Sequence, residues 1–125
     1  MNNAEVNSLK NVLLKTFGYQ FSDLSNVFIA GSFGNYLDVK KAITIGLLPD
    51  LPLDKFKFIG NGALGGARMV LLSQDLQDKA AEIVGNMTHI ELSVSSMFFK
   101  EFTSALFIPH TELDQFPHVS KQGYT

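Results

Sequence analysis

Two glycine clusters have the residue types and spacing to meet a nucleotide. Ala30-Gly31-Ser32-Phe33-Gly34 closes the apolar run Val27-Phe28-Ile29-Ala30, and Gly60-Asn61-Gly62-Ala63-Leu64-Gly65 follows Phe56-Lys57-Phe58-Ile59. A turn without Cβ atoms lets backbone N–H groups approach a ligand, and a helix leaving such a turn presents its positive end to anions. The first cluster is a ligand platform or a tight connection needing glycine for φ > 0, and its pattern leaves both readings open. The second is a literal G-x-G-x-x-G between an expected strand and an expected helix, the setting of the dinucleotide fingerprint, with Glu91 as the acid for the ribose. Glu91 stands 26 residues past Gly65 where about 20 is usual, two helices intervene, and too little chain follows for the rest of such a sheet. In the competing reading Gly62, Gly65, Gly66 and Ala67 are small so that a helix sits tightly on a sheet.

Other chemistry finds little support. His89, His110 and His118 lack the i, i+4 spacing of helical zinc ligands and are expected to be one half-buried strand residue and two solvated ones. Asp50, Asp54, Asp75 and Asp78 fall at expected caps, turns or exposed helix faces, with no catalytic partner in view. Ser32 lacks the G-x-S-x-G frame of a nucleophile elbow and is read as a hydrogen-bonding or turn residue, so no residue is assigned a catalytic role. With 0 cysteines the chain cannot form a disulfide, a thiolate metal site or its own iron–sulfur cluster. The balance of 10 Lys and Arg against 12 Asp and Glu, with no basic run longer than Lys40-Lys41, argues against a nucleic-acid surface. No apolar run approaches the ~20 residues of a membrane helix, and the first residues lack a charged and apolar leader, which points to a cytoplasmic protein.

These residues need elements to hold them. Val6, Leu9, Leu13 and Phe17 recur at three and four residues, predicting the apolar face of a helix over residues 4–17 that Gly18 stops. Residues 27–30 read as a strand buried on both faces, Asp38 as the cap of a helix to residue 45, and residues 47–52 as a loop. Residues 56–59 read as a second strand. Residues 63–72 are apolar nearly all round, which suits a helix packed against a sheet. Ser73 or Asp75 starts another helix to residue 84, and residues 89–92 form a third strand candidate. A last helix begins at Ser95 or Ser96, buries Met97, Phe98, Phe102, Ala105 and Leu106, and is ended by Pro109. Residues 1–110 then form one α/β domain, and 111–125 a polar tail expected to lose regular structure.

Taken in order, Val27 through Leu37, then Ile45-Gly46-Leu47-Leu48-Pro49, then Ile59-Gly60-Asn61-Gly62-Ala63 closely resemble the C-terminal part of the reductive activators of corrinoid proteins, over about residues 25–110. The resemblance implies a partial actin-like (ribonuclease H-like) ATPase subdomain, a short sheet packed with helices. In that family an actin-like ATPase region, related to those of sugar kinases, actin and heat-shock chaperones, is joined to a ferredoxin-type iron–sulfur domain. ATP with Mg²⁺ drives a conformational cycle that lets an electron pass uphill to an inactive Co(II) corrinoid and regenerates Co(I). By position, Gly31, Ser32, Phe33 and Gly34 match the adenosine-side glycine turn, Asn35 follows it, and residues 60–67 match the strand and packing helix beside it. The family's phosphate-binding segments and metal-positioning carboxylates lie upstream of the matched region, and its cluster cysteines have no counterpart here. The expectation is a chain that does not hydrolyse ATP alone, with a corrinoid protein and an upstream half-domain, or a second copy, as partners. A non-enzymatic interaction module of the same fold and a small dinucleotide binder using Gly60, Gly62, Gly65 and Glu91 are the alternatives.

Overall fold

The computed structural model of the chain describes residues 2–92 and 95–121, and of Phe33, Asn35 and Lys121 the backbone alone. Helix α1 spans Asn3–Thr16. Asn2 accepts from the Glu5 N–H at 2.9 Å and Glu5 accepts from the Asn2 N–H at 2.8 Å, a reciprocal cap on donors that have no intrahelical acceptor. Gly18 follows at φ 72°, as expected of a left-handed stop. The buried side of α1 is not the predicted one. It consists of Ala4, Asn7, Ser8, Asn11 and Val12, while Leu13 and Phe17 are 46% and 53% exposed. Of the inward polar residues Asn11 meets a buried carboxylate, described below, and of the predicted apolar stripe Val6 and Leu9 are half-buried.

Strands β1 (Val27–Ala30) and β2 (Phe56–Gly60) pair in parallel, with Val27 opposite Phe56, Phe28 opposite Lys57, Ile29 opposite Phe58 and Ala30 opposite Gly60 after a bulge. Between them α2 (Val39–Thr44) starts where the Asp38 carboxylate accepts from the Lys41 N–H at 3.1 Å. One face of the sheet packs on a core of Ile43, Leu51, Phe56, Phe116 and Val119, flanked by Val27, Ile29 and Val39. Among the described residues nothing buries the other face. Phe28 is 64% exposed, so β1 is not buried on both faces as its continuous apolar run implied.

Helices α3 (Gly62–Leu72) and α4 (Gln74–Gly85) form a hairpin packed on itself. No residue of either is buried, and Leu64, Leu71 and Leu72 are 67%, 81% and 75% exposed. Only the start of α3, at Gly62, comes close to Ala30 and Ile59 of the strands, so the expected packing against the sheet buries none of its residues. Residues 89–92 have no regular structure, so the third strand does not form there. Helix α5 spans Ser96–Ser104, opens with the Phe98 N–H donating to Ser95 Oγ at 3.2 Å, and packs on α1. Its buried residue is Glu101, followed by Ala105 just past the helix, whereas Met97 and Leu106 are largely exposed. Beyond Pro109 the composition is polar but the structure continues. A 3₁₀ turn at Leu113–Gln115 leads into α6 (Pro117–Lys121), and Phe116 and Val119 complete the core. A pair of apolar residues spaced by three is too short a signal to read as an element.

Candidate functional site

The two glycine clusters converge. Because β1 and β2 run parallel with Ala30 opposite Gly60, both turns leave the same edge of the sheet, at the carboxyl ends of the strands where open α/β sheets take their ligands. The Gly31 N–H donates to the Gly60 carbonyl at 2.6 Å and ties one turn to the other. Gly31 itself stands at φ 94°, ψ 166°, a region closed to residues with a Cβ, although an added Cβ would meet nothing within 4 Å. Its glycine serves conformation and leaves the space beside the turn open.

A 3₁₀ turn over Ser32–Tyr36 follows, held by the Gly34 N–H to Gly31 at 3.2 Å and the Leu37 N–H to Gly34 at 3.3 Å. Gly34 has a different reason to be small: a Cβ there would lie 3.0 Å from Ile29 Cγ2 and 3.2 Å from Phe58 Cδ1. Ser32 and Tyr36 are exposed at the rim, and the side chains of Phe33 and Asn35 lie outside what the structure describes. On the neighbouring turn Gly60 is at φ 61°, Asn61 caps α3 by accepting from the Leu64 N–H at 3.0 Å, and a Cβ on Gly62 would lie 3.3 Å from Ile59 Cδ1. Gly65 and Gly66 face open space, so their smallness has no packing partner among the described residues. Glu91 sits in the irregular segment after α4, 3.7 Å from His89 Nε2, and no returning strand brings it to the turn. The arrangement of a dinucleotide fingerprint is therefore not completed.

Two histidines, His89 and His110, reverse their expected surroundings, while the His118 side chain is exposed as expected. His89 is exposed, while His110 is 2% exposed and stacks at a tilt on Phe116, ring centroids 6.4 Å apart. His110 Nδ1 accepts from the Glu112 N–H at 3.0 Å, and burial holds the imidazole below its usual pKa, partly opposed by the charges of Glu101 and Glu112. Asp50, expected at an exposed turn, has a side chain only 3% exposed and caps α6 from afar, accepting from the His118 N–H at 2.7 Å with His118 Nδ1 at 3.0 Å. Burial works to raise the Glu101 pKa, but hydrogen bonds from Lys15 (2.6 Å) and Asn11 (2.8 Å) outweigh it and hold it below the ordinary value. The Lys10 ammonium donates to the Gly46 and Leu47 carbonyls at 3.1 and 2.9 Å, and desolvation lowers its pKa to about 7. These groups brace the fold and none lies at the glycine turns.

A cleft of about 630 Å³ also lies elsewhere, between the end of α1, residues 19–22, Asp50 and residues 112–115. At the glycine edge, by contrast, the Gly31 turn stands beside open space. Among the described residues no three His, Asp or Glu side chains are placed to hold a metal ion, and no helix is long and apolar enough to cross a membrane.

Comparison with known proteins fits this architecture. A family profile described as the C-terminal domain of RACo, the ASKHA domain, matches residues 2–120. The chain is 41% identical over 91 residues to the corrinoid activation enzyme RamQ of Eubacterium limosum, covering 73% of this chain and 15% of RamQ. A solved structure, a reductive activator for corrinoid, iron–sulfur protein, superposes with a TM-score of 0.84 at 45% identity, covering 94% of this chain and 19% of that one. The chain thus spans under a fifth of the length of either protein. From the family match, the identities and the shared partial actin-like fold, the chain belongs to the family of C-terminal ASKHA domains of the reductive activators of corrinoid proteins.

Proposed function

We propose that this chain is the nucleotide-binding C-terminal part of an ATP-dependent reductive activator of corrinoid proteins, working in the cytoplasm, with Gly31, Ser32, Phe33, Gly34 and Asn35 as the adenosine-side turn. The observation that carries the reading is the tie between the two glycine turns at the carboxyl ends of parallel strands, Gly31 N–H to Gly60 O at 2.6 Å. The residues present fit the nucleoside end of ATP: an open turn without a Cβ at Gly31 and an exposed Ser32 hydroxyl at the rim. They do not fit the Mg²⁺–phosphate end, since no group of carboxylates is gathered among the described residues. ATP bound in the whole activator supplies the free energy for reducing a corrinoid. What this chain's residues do is hold and orient the nucleoside, while the phosphate contacts, the metal and the iron–sulfur cluster come from polypeptide outside it.

Calorimetric titration with ATP and Mg²⁺, beside Gly31→Val, tests the reading. Weak saturable binding that disappears in the variant is expected, without hydrolysis. Binding that is unchanged by Gly31→Val sinks the turn as the nucleotide wall. A second reading, a non-enzymatic module, is favoured by the large uncovered apolar surface. A stable dimer that ignores millimolar nucleotide would put that reading first.

A further inference from the structure

We infer that Lys10 is a modification site: its side-chain nitrogen is an amine placed to take an acyl group from a thioester, and acylation releases the turn that follows α2. This goes beyond the nucleotide reading and does not rest on it. Asn3, Asn7 and Lys10 share one stripe of α1, and two of them hold three consecutive carbonyls of that turn. The Asn3 amide donates to the Ile45 carbonyl, and Lys10 Nζ donates to those of Gly46 at 3.1 Å and Leu47 at 2.9 Å. Lys15 and Lys41 sit against the carboxylates of Glu101 and Asp38. Lys10 has no such partner among the described residues. Its remaining neighbour is the Phe21 ring, 5.8 Å to the centroid, and desolvation alone perturbs it, with no charged group of any packed element acting on it.

Two carbonyls match the two N–H bonds of a neutral amine and leave its lone pair unused. An ammonium brings a third N–H, for which the described residues give no acceptor. With the pKa lowered to about 7, about half of the chains carry the nucleophilic form at neutral pH, against fewer than about 1 in 1,000 for an ordinary lysine. The side chain is half-buried rather than sealed, and Phe21 also lines the cleft beside α1, which brings open space to within one ring of the nitrogen. The surroundings select the electrophile. The Gly46 and Leu47 oxygens disfavour an anionic product such as a carbamate, and a neutral imine keeps no N–H for either of them, whereas an amide is neutral and keeps one. In the transfer the lone pair attacks the thioester carbonyl, the N–C bond forms as the C–S bond breaks, and the proton lost by nitrogen leaves with the thiol; nothing is oxidised or reduced. The amide then serves one carbonyl where the amine served two, so α1 loses part of its hold on residues 46–47.

The test treats the full chain at pH 7 with an uncharged acetyl thioester, N,S-diacetylcysteamine, and follows each lysine by peptide mass spectrometry. Lys10 should be acetylated about tenfold or more faster than the exposed Lys40 and Lys57, with the lead lost near pH 10.5, where those amines are neutral too. Amide hydrogen exchange of the acetylated chain should then rise at residues 45–48 and stay unchanged in β1 and β2. Lys10→Arg keeps donors for both carbonyls and cannot be acylated, so the same treatment should leave its exchange at residues 45–48 as it was. Lys10 reacting no faster than Lys40 at pH 7 overturns the site. Exchange that is unchanged at residues 45–48, that rises throughout the chain, or that rises equally in treated Lys10→Arg overturns the release of the turn.

Discussion

At Gly31 the backbone stands at φ 94° beside open space, whereas at Gly46 φ is 79° and an added Cβ would collide with the Pro109 carbonyl. The first position carries a conformational penalty only, of about 1–3 kcal/mol or more, in a region that residues with a Cβ hardly ever enter. The second carries that penalty and a backbone clash, which a side-chain adjustment cannot relieve. Gly46→Ala is therefore expected to lower the melting temperature clearly more than Gly31→Ala, and equal losses in a thermal melt would show the clash to be relieved. His110 sets the acid response. Its folded pKa lies below the ordinary 6.5, so between those two values the unfolded chain binds the extra proton and stability falls as the pH is lowered through that window. Protonating Nδ1 also removes the acceptor for the Glu112 N–H. His110→Asn, which keeps an acceptor but cannot titrate, should flatten the melting temperature between pH 6.5 and the onset of carboxylate protonation; an unchanged profile would remove His110 as the cause.

Between elements, the α1–α5 joint is held by polar side chains. Glu101 is 4% exposed and receives Asn11 at 2.8 Å and Lys15 at 2.6 Å, while Asn11 also donates to Gln115 at 3.2 Å. A buried carboxylate stripped of a donor keeps its desolvation cost, so Asn11→Ala should cost about 1–3 kcal/mol in urea denaturation. Lys15→Met should cost less, because its ammonium is 45% exposed and screened. The reverse order would mean that the ion pair, not the amide, carries the joint. This joint also marks where sequence periodicity stops being informative. Residues 3–16 were legible as a helix from Val6, Leu9 and Leu13, and the Asn2 and Gly18 ends obey local rules. Which face turns inward depends on where a carboxylate 90 residues away comes to rest, and no local pattern encodes that. Strands β1 and β2, α2 and the glycine turns were legible because their signals lie within a few residues, whereas the strand expected at residues 89–92 does not form; the pairing of both turns at one edge was not legible, because it depends on strand order.

At the scale of the whole molecule, apolar patterning says that an element suits an interior, not which partner covers it. The all-round apolar character of residues 63–72 pointed to a helix packed on a sheet, yet the helix that forms there has no buried residue among those described. The C-terminal residues fail in the opposite sense: their polar composition concealed a core position. Phe116 is 2% exposed and closes a cluster whose other members, Ile43, Leu51 and Phe56, lie some 60 residues or more before it. Asp50 fixes the same junction by capping α6 through the His118 N–H at 2.7 Å. With one sheet face already open, this core has little stability in reserve, since a domain is held by only about 5–15 kcal/mol in total. Removing a buried phenylalanine costs about 3–5 kcal/mol, so Phe116→Ala should take a large share of that, and a chain ended after residue 110 should lose its cooperative melt. Calorimetry of the two variants checks this. A truncated chain that still melts cooperatively near the parent temperature would show that the core closes without its last helix, and that residues 111–125 are the appendage their composition implied.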